Sequence, residues 1–471
     1  MTFTTLHGET RDVERTIEAF RPAFRGELVR RDDPGYAECR RIYNAMIDRE
    51  PAVIAVCSDV ADVVAAIRLA RKHDLLTSVR GGGHNGAGLA LCDGGLTIDL
   101  SQLRGIRVDP AGDTARVEAG CVWADVDHAT HAFGRAVPSG IIGTTGVAGL
   151  TLGGGHGYLT RRYGLTVDNL LQADVVLADG SVVTASDSSH EDLFWAIRGG
   201  GGNFGVVTSF LFRTRPVSNV HAGPVLWSLD DAEEVLRWYR SFSPSAPDDL
   251  YAFFAFMVVP PAPPFPEELH GRKVCSLMWC ATDTDHGSER IEAATAGLPA
   301  PLWAHVGGLP FPALQSAFDR FYPPGLEWYW KGDFVREIDD ETVALHLEHG
   351  SALPTPHSTM HLYPIDGAVH DVPAGATAFA HRDANWSMVI TGVDPDPANR
   401  DAITGWARDY WQALHPHSAG GAYVNFMMEE GTDRIRATYR DNYDRLCAVK
   451  RRYDPDNLFR VNQNIAPAEA P

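Results

Sequence analysis

Basic residues are scarce in this chain. Its 471 residues hold 41 Lys and Arg against 61 Asp and Glu, a formal net charge of −20. Nucleic acid and anionic membrane surfaces both need a basic face, so neither is expected as a partner. The excess of acid reads as a solvated surface that aids solubility. The first residues show no basic stretch followed by an apolar one, and no run is long and apolar enough to span a bilayer. Cysteine is sparse and scattered, at 39, 57, 92, 121, 275, 280 and 447, with no C-x-x-C pair. That pattern argues against a disulfide framework and against zinc, and points to reduced thiols in a cytoplasmic protein. The histidines at 346, 349, 357, 361 and 370 lack H-E-x-x-H spacing, so no metal site is expected.

What the chain does have is glycine, concentrated in three stretches: Ser78-Val-Arg-Gly-Gly-Gly-His-Asn85, Thr144 to Gly157, and Arg198 to Thr208. Glycine lets a backbone come close to a ligand and adopt positive φ. Backbone N–H groups exposed in such loops form nests for phosphate oxygens. None of the three reads as G-x-G-x-x-G or as a P-loop, and each alone is weak. Together, within about one domain's length, they point to a long ligand touched at several places, and a dinucleotide fits that better than a single phosphate. His84 stands at the lip of the first loop.

The pattern along the chain predicts an α+β protein. Helices are expected over 36–46, 59–72, 123–133, 231–241, 340–347 and 399–414. Short strands are expected at 53–57 and 76–79, and more between 106 and 215. Beyond Arg215-Pro216 the chain becomes rich in aromatics and prolines, with strands expected at 251–259, 273–279, 358–363 and 387–391, a sheet covered by helices on one face. Pro260 to Pro266 reads as a hairpin connection or lid.

Four segments in order carry a resemblance. They are Arg80-Gly-Gly-Gly-His84, Gly94 to Leu100, Leu152-Gly-Gly-Gly-His-Gly157 with Tyr163 to Asn169, and the tail Tyr453-Asp-Pro-Asp-Asn-Leu-Phe-Arg-Val-Asn-Gln-Asn-Ile465. The chain resembles FAD-linked oxidases of the vanillyl-alcohol oxidase and p-cresol methylhydroxylase fold, in their berberine-bridge-enzyme-like branch. The resemblance implies a two-lobed FAD-binding domain over 1–215, a substrate domain over 216–420, and a segment over 421–471 that returns to the first. It implies that His84 is bonded covalently to FAD. It places Arg80, Gly81, Gly82, Gly83, Asn85, Gly86, Gly88, Leu89, Thr144, Thr145, Gly146, Gly149, Gly153, Gly154, Gly157, Asn169, Gly205, Val206, Val207, Asn425, Asn462 and Asn464 at the cofactor. Many members hold FAD through a cysteine as well. Here that position falls at Ile142, and the nearest thiol, Cys121, lies outside the motif. A single 8α-histidyl bond follows, as in the enterocin-pathway group of bacterial flavoproteins.

The same resemblance puts the catalytic base on a strand of the substrate domain or in a Tyr-x-Asn element near the C-terminus. On Thr359-Met-His-Leu-Tyr363, a period of two brings Thr359, His361 and Tyr363 to one face. His361 and Tyr423 are the first candidates and Tyr363 the next, each weighed against a purely structural role. Thr145 is placed to govern oxygen at the flavin. His156 reads as packing, and Trp328-Tyr-Trp330 as core more than as a substrate platform. The expected activity is oxidation of an alcohol, phenol or activated C–H of a small molecule, in secondary metabolism, with O2 as acceptor. Its rivals are an oxygenase acting on a polyketide-like substrate through a flavin–oxygen adduct, a sugar oxidase, and a non-catalytic flavin-binding protein.

Overall fold

Three larger sheets and a two-stranded one, Thr2–Thr4 with Thr10–Asp12, organise the computed structural model, which describes residues 2–469. In the first, Val53–Val56 and Thr77–Arg80 both run parallel to Leu96–Asp99, with Glu27–Arg30 antiparallel at the edge. Parallel strands need a crossover. Helix Val60–Lys72 supplies it, burying Val63, Ala66, Ile67 and Ala70 at three- and four-residue spacing. The Asp59 carboxylate caps its start by accepting from the Asp62 N–H at 3.0 Å, a contact worth about 1 kcal/mol. Arg71 and Lys72 sit in its last turn, where the dipole favours cations.

The second sheet is antiparallel and has the spatial order Val182–Ser186, Leu170–Val176, Val206–Arg213, Thr114–Glu118, Ile106–Asp109. The third is antiparallel and eight-stranded. Its spatial order is Trp303–Ala304, Asn219–Ser228, Lys273–Ala281, Leu250–Val258, Thr359–Pro364, Trp386–Asp394, Glu327–Val335, with Gly307–Pro310 also paired to Asn219–Ser228.

Alternation along the strands of this large sheet serves two different cores. Leu250, Ala252, Phe254 and Phe256 pack with Val235 and Tyr239 of helix Ala232–Phe242, Val343 of helix Asp340–Ser351, and Ala407 and Tyr410 of helix Arg400–Leu414. Tyr251, Phe253 and Ala255 face the other way, toward Tyr158, Phe311 and Tyr363. Residues 422–465 bury Val424, Met427, Leu446, Phe459 and Ile465 in the same core as Phe3, Val63, Trp123 and Phe212. A buried ion pair holds that tail. Lys450 Nζ donates to Asp454 at 2.6 Å and to the Asn203 carbonyl at 2.7 Å, and Asp454 accepts from the N–H groups of Leu458 and Phe459.

One expected helix, over 36–46, is mostly absent: only Tyr36–Cys39 is helical. Tertiary hydrogen bonds take the rest of the backbone. The Tyr43 N–H donates to the Gly83 carbonyl at 3.1 Å, and Asn44 bridges the Gly86 carbonyl and the main chain of Trp328. No described helix is long and apolar enough to cross a membrane. All seven cysteines are unpaired, and no metal-binding cluster occurs among the described residues.

Candidate active site

A cavity of about 320 Å³ lies between the glycine loops and the large sheet. On one side, the strand Thr77–Arg80 opens directly into Gly81-Gly-Gly-His84. Two loops pass backbone against backbone there. A Cβ on Gly82 would sit 2.4 Å from the Gly146 Cα, so neither position has room for a side chain. Gly83 has φ of +70°, which turns the chain so that His84 faces the cavity. The ring of His84 stacks on Tyr43 with centroids 3.9 Å apart, and its Nε2 lies 3.2 Å from Thr144 Oγ1. Burial lowers its pKa to about 4, partly opposed by a hydrogen bond to the Thr144 backbone, so the ring is neutral at pH 7.

Of the residues expected at the cofactor, Gly81, Gly82, Gly83, His84, Asn85, Leu89, Thr145, Gly146, Gly149, Gly205, Val206, Val207, Asn425 and Asn462 line this cavity. Others stand behind it. Arg80 turns its guanidinium away, to the buried Asp99 carboxylate and the Cys39 carbonyl, so it clamps the loop's base and does not face the ligand space. Asn169 is buried on the carbonyls of Tyr163 and Leu165 and accepts from Arg215. Gly86 lies under the Trp330 ring and Gly88 against Ile47. Gly153 meets Asn425, Gly154 meets Phe379, and Gly157 meets the Ser139 carbonyl. Thr144 supports His84 from behind, and Asn464 lies outside the lining.

The four residues expected at the chemistry, Thr145, His361, Tyr363 and Tyr423, all line the cavity, but in two different settings. Tyr423 Oη accepts from the Gly155 N–H at 3.0 Å and from Asn425 Nδ2 at 2.8 Å, and donates to the Leu150 carbonyl at 3.4 Å. Its hydroxyl is fully used, and burial pushes its pKa up to about 12. The strand Thr359–Pro364 carries the other setting. Thr359 Oγ1 donates to the Phe256 carbonyl at 2.8 Å and lies 2.9 Å from His361 Nε2, while His361 Nδ1 is in contact with the Tyr363 hydroxyl. The carbonyl can only accept. The assignment that satisfies every atom therefore places the imidazole proton on Nε2 and has Tyr363 donate to Nδ1. Burial lowers the His361 pKa to about 3 and raises that of Tyr363.

Several lining residues are not among those expected at the cofactor, although the stretches that carry them are singled out in the sequence. Gly201, Gly202 and Asn203 belong to the third glycine stretch, and Gln463 to the tail. Trp328 is buried with Tyr43, Leu326 and Val393, and Trp330 packs against them, as their reading as core expects, and both also line the cavity. Tyr329 between them points outward to Arg408, the alternation of a strand that the aromatic cluster concealed. His156 is buried between Tyr363, Tyr423 and Phe426, with centroids 5.2, 4.7 and 5.5 Å away, and neither ring nitrogen has a partner among the described residues.

The residues present suit a flavin dinucleotide. Glycine backbone from all three loops lines one wall, and the lining contains no cysteine and no Asp, Glu, Lys or Arg. Phosphate oxygens in such a cavity would be met by main-chain N–H groups.

Residues 51–186 match the family described as FAD binding domain, and residues 422–466 the family described as berberine and berberine-like. The chain is 30% identical over 458 residues to an FAD-linked oxidoreductase of Dictyostelium discoideum, covering 96% of this chain and 97% of that one. It is also 30% identical over 461 residues to the (R)-6-hydroxynicotine oxidase of Paenarthrobacter nicotinovorans, covering 94% and 97%. The fold superposes on the BBE-like 1 protein of Physcomitrella patens with a TM-score of 0.86 at 23% identity, covering 97% of this chain and all of that one. The chain belongs to the FAD-linked oxidoreductases of the berberine-bridge-enzyme-like family, with the p-cresol methylhydroxylase type of FAD-binding fold.

Proposed function

We propose that this protein is an oxidase that removes a hydride and a proton from an alcohol, phenol or activated C–H of a small organic molecule, with O2 as the final acceptor. FAD is held by one covalent bond, at His84. Residues 1–215 and 421–471 serve the cofactor and 216–420 the substrate. The unpaired thiols fit a cytoplasmic enzyme, and the reading places it in secondary metabolism.

One observation carries the reading: a single cavity joins a neutral, oriented His84 to the hydrogen-bonded pair His361–Tyr363. When bound, FAD would supply the hydride acceptor. The chain supplies the proton path. Tyr363 Oη accepts the substrate's hydroxyl proton while its own proton passes to His361 Nδ1. Thr359 fixes the tautomer that leaves Nδ1 open to receive it. Tyr423, with its hydroxyl already committed to three main-chain and side-chain partners, holds the C-terminal segment against the glycine loops. Thr145 lines the cavity on the glycine side and is our candidate for steering oxygen.

Flavin reduction without oxygen tests the assignment, with the fastest donor among a panel of benzylic and aryl alcohols. Tyr363→Phe and His361→Gln should each slow reduction by about 10²–10⁴-fold, and Tyr423→Phe by much less. If only Tyr423→Phe were slow, the base would be Tyr423. If no donor reduced bound flavin, the non-catalytic alternative would stand. ¹⁸O from labelled O2 should appear in hydrogen peroxide; label in the organic product would favour the oxygenase.

A further inference from the structure

The loop that carries Thr144 and Thr145 is held from behind by groups with no part in the proposed chemistry. We infer that Asp127 and Gln315 are positioning residues of the flavin site, an uncharged carboxylic acid–amide pair that fixes the loop from Ser139 to Thr145. What the loop serves rests on the proposed function; the pair itself does not.

The loop borders the ligand space closely. Gly140, Ile141, Ile142 and Thr145 line the cavity, and Thr144 Oγ1 lies 3.2 Å from His84 Nε2. It is suspended from two sides. Helix Trp123–His131 donates from its first turn, the Trp123 N–H to the Thr145 carbonyl at 3.0 Å and the Ala124 N–H to the Gly143 carbonyl at 2.8 Å. From the part of the chain that forms the large sheet, Asp319 Oδ1 accepts from the Gly143 N–H at 2.8 Å, and Gln315 Nε2 donates to Ser139 Oγ at 2.6 Å. Gln315 ends helix Phe311–Gln315, which packs on helix Trp123–His131.

Asp127 lies in that junction and is only 2% exposed. Gln315 is the hydrogen-bonding side chain that acts on it. Yet neither Asp127 carboxylate oxygen, nor Gln315 Oε1, has a partner among the described residues. An ionised carboxylate buried without a donor or a cation is costly. The charged and titratable groups of the packed elements do not relieve it. Asp319, beyond helix Phe311–Gln315, adds charge of the same sign. Strand Ile106–Asp109, on the other flank, leaves Arg107 and Asp109 exposed. On its own helix, Asp125 pairs with Arg104, and the Nδ1 of His131 is itself unpartnered. Burial pushes the Asp127 pKa up to about 8, opposed by Gln315 and aided by the Asp319 charge. A bound proton resolves the mismatch. A carboxylic acid can donate to an amide oxygen while accepting from its nitrogen, whereas a carboxylate can only accept.

The test compares Asp127→Asn, Asp127→Leu and Gln315→Leu with the unaltered protein. Hydrogen–deuterium exchange is read on the peptide spanning 139–146, and thermal unfolding from about pH 5 to about pH 8. The leucine variants should speed exchange of that peptide at least about tenfold, the scale of a lost buried hydrogen bond, with strand Leu250–Val258 unchanged. Asp127→Asn keeps an uncharged donor and acceptor, so the peptide should stay protected. The fold holds a proton that the unfolded chain releases above the ordinary carboxylate range. The unaltered protein therefore loses stability as pH rises from that range to about 8. Its melting temperature should fall relative to that of Asp127→Asn across the same window. With FAD bound, the visible circular dichroism of the flavin should change near pH 8 in the unaltered protein and not in Asp127→Asn. If the leucine variants fail to fold, the asparagine variant decides. A loosened loop in Asp127→Asn, a melting difference that does not vary with pH, or unchanged exchange in both folded leucine variants would overturn the inference. Protein purified without FAD would count against the oxidase reading alone, since exchange and unfolding still report the pair.

Discussion

The two walls of the cavity are built on opposite principles. The glycine wall works by leaving side chains out at its closest approach: Gly82 and Gly146 touch backbone to backbone, and the glycine main chain there is joined by the His84 imidazole and by side chains such as Asn85, Leu89 and Thr145. The sheet wall works by alternation: Thr359, His361 and Tyr363 of one strand and Trp328 and Trp330 of another reach the cavity, while Met360 and Leu362 pack toward the helices and Tyr329 reaches Arg408. A wall of backbone tolerates no substitution at its closest approach, yet it is indifferent to what the substrate is. A wall of side chains can be changed residue by residue, and it sets which substrate fits. The difference teaches where retention of the cofactor and where selectivity reside.

The harshest way to try that contrast is Gly82→Ala. Its new methyl would meet the Gly146 Cα at 2.4 Å, so the two loops must part. Flavin content, read as the ratio of visible to ultraviolet absorbance, should fall at least tenfold, an estimate that follows from overpacking costs of about 1–3 kcal/mol or more. Retention of full flavin would show that the loops have slack and that the backbone wall is not rigid. A gentler probe works on the other wall. Phe318→Ala removes one aromatic face from the lining. It should weaken binding of a phenol such as 2-naphthol by up to about tenfold, the equivalent of about 0.5–1.5 kcal/mol per aromatic contact, with flavin content unchanged. Loss of flavin in that variant would mean that the two walls are not separable.

The sequence carried more of the fold than of the site's inner geometry, for reasons that can be named. Strands such as Leu250–Val258 are long, apolar and bounded by turn residues, so local pattern alone marks them. The end of helix Tyr36–Cys39 is not local: partners at Gly83, Gly86 and Trp328 decide it, and those lie 40 to almost 300 positions away. The glycine stretches announce a ligand, and the family identifies it as FAD. Which residues of a glycine motif face that ligand depends on side-chain direction. Arg80 is the instructive case, since only its pairing with Asp99 in the neighbouring strand shows that it turns inward to the protein. Trp328 and Trp330 were hidden for a related reason. An aromatic cluster looks the same in a core and in a cavity, and only the strand's two-residue period separates Tyr329 from its neighbours. The hydrogen-bonded chain of Thr359, His361 and Tyr363 was half legible: period two grouped the three, but the tautomer depends on the Phe256 carbonyl of the adjoining strand.

The central claim is that FAD is bonded once, at His84, at the end of the first glycine loop. Acid precipitation of flavin-loaded protein, followed by proteolysis and mass analysis, tests it most directly. A pellet that stays yellow, with the mass of FAD on the peptide containing His84 and on no other, is the expected result, and His84→Ala should give a colourless pellet from protein that still binds FAD reversibly. A colourless pellet from the unaltered protein, or flavin attached at any cysteine, would contradict the account.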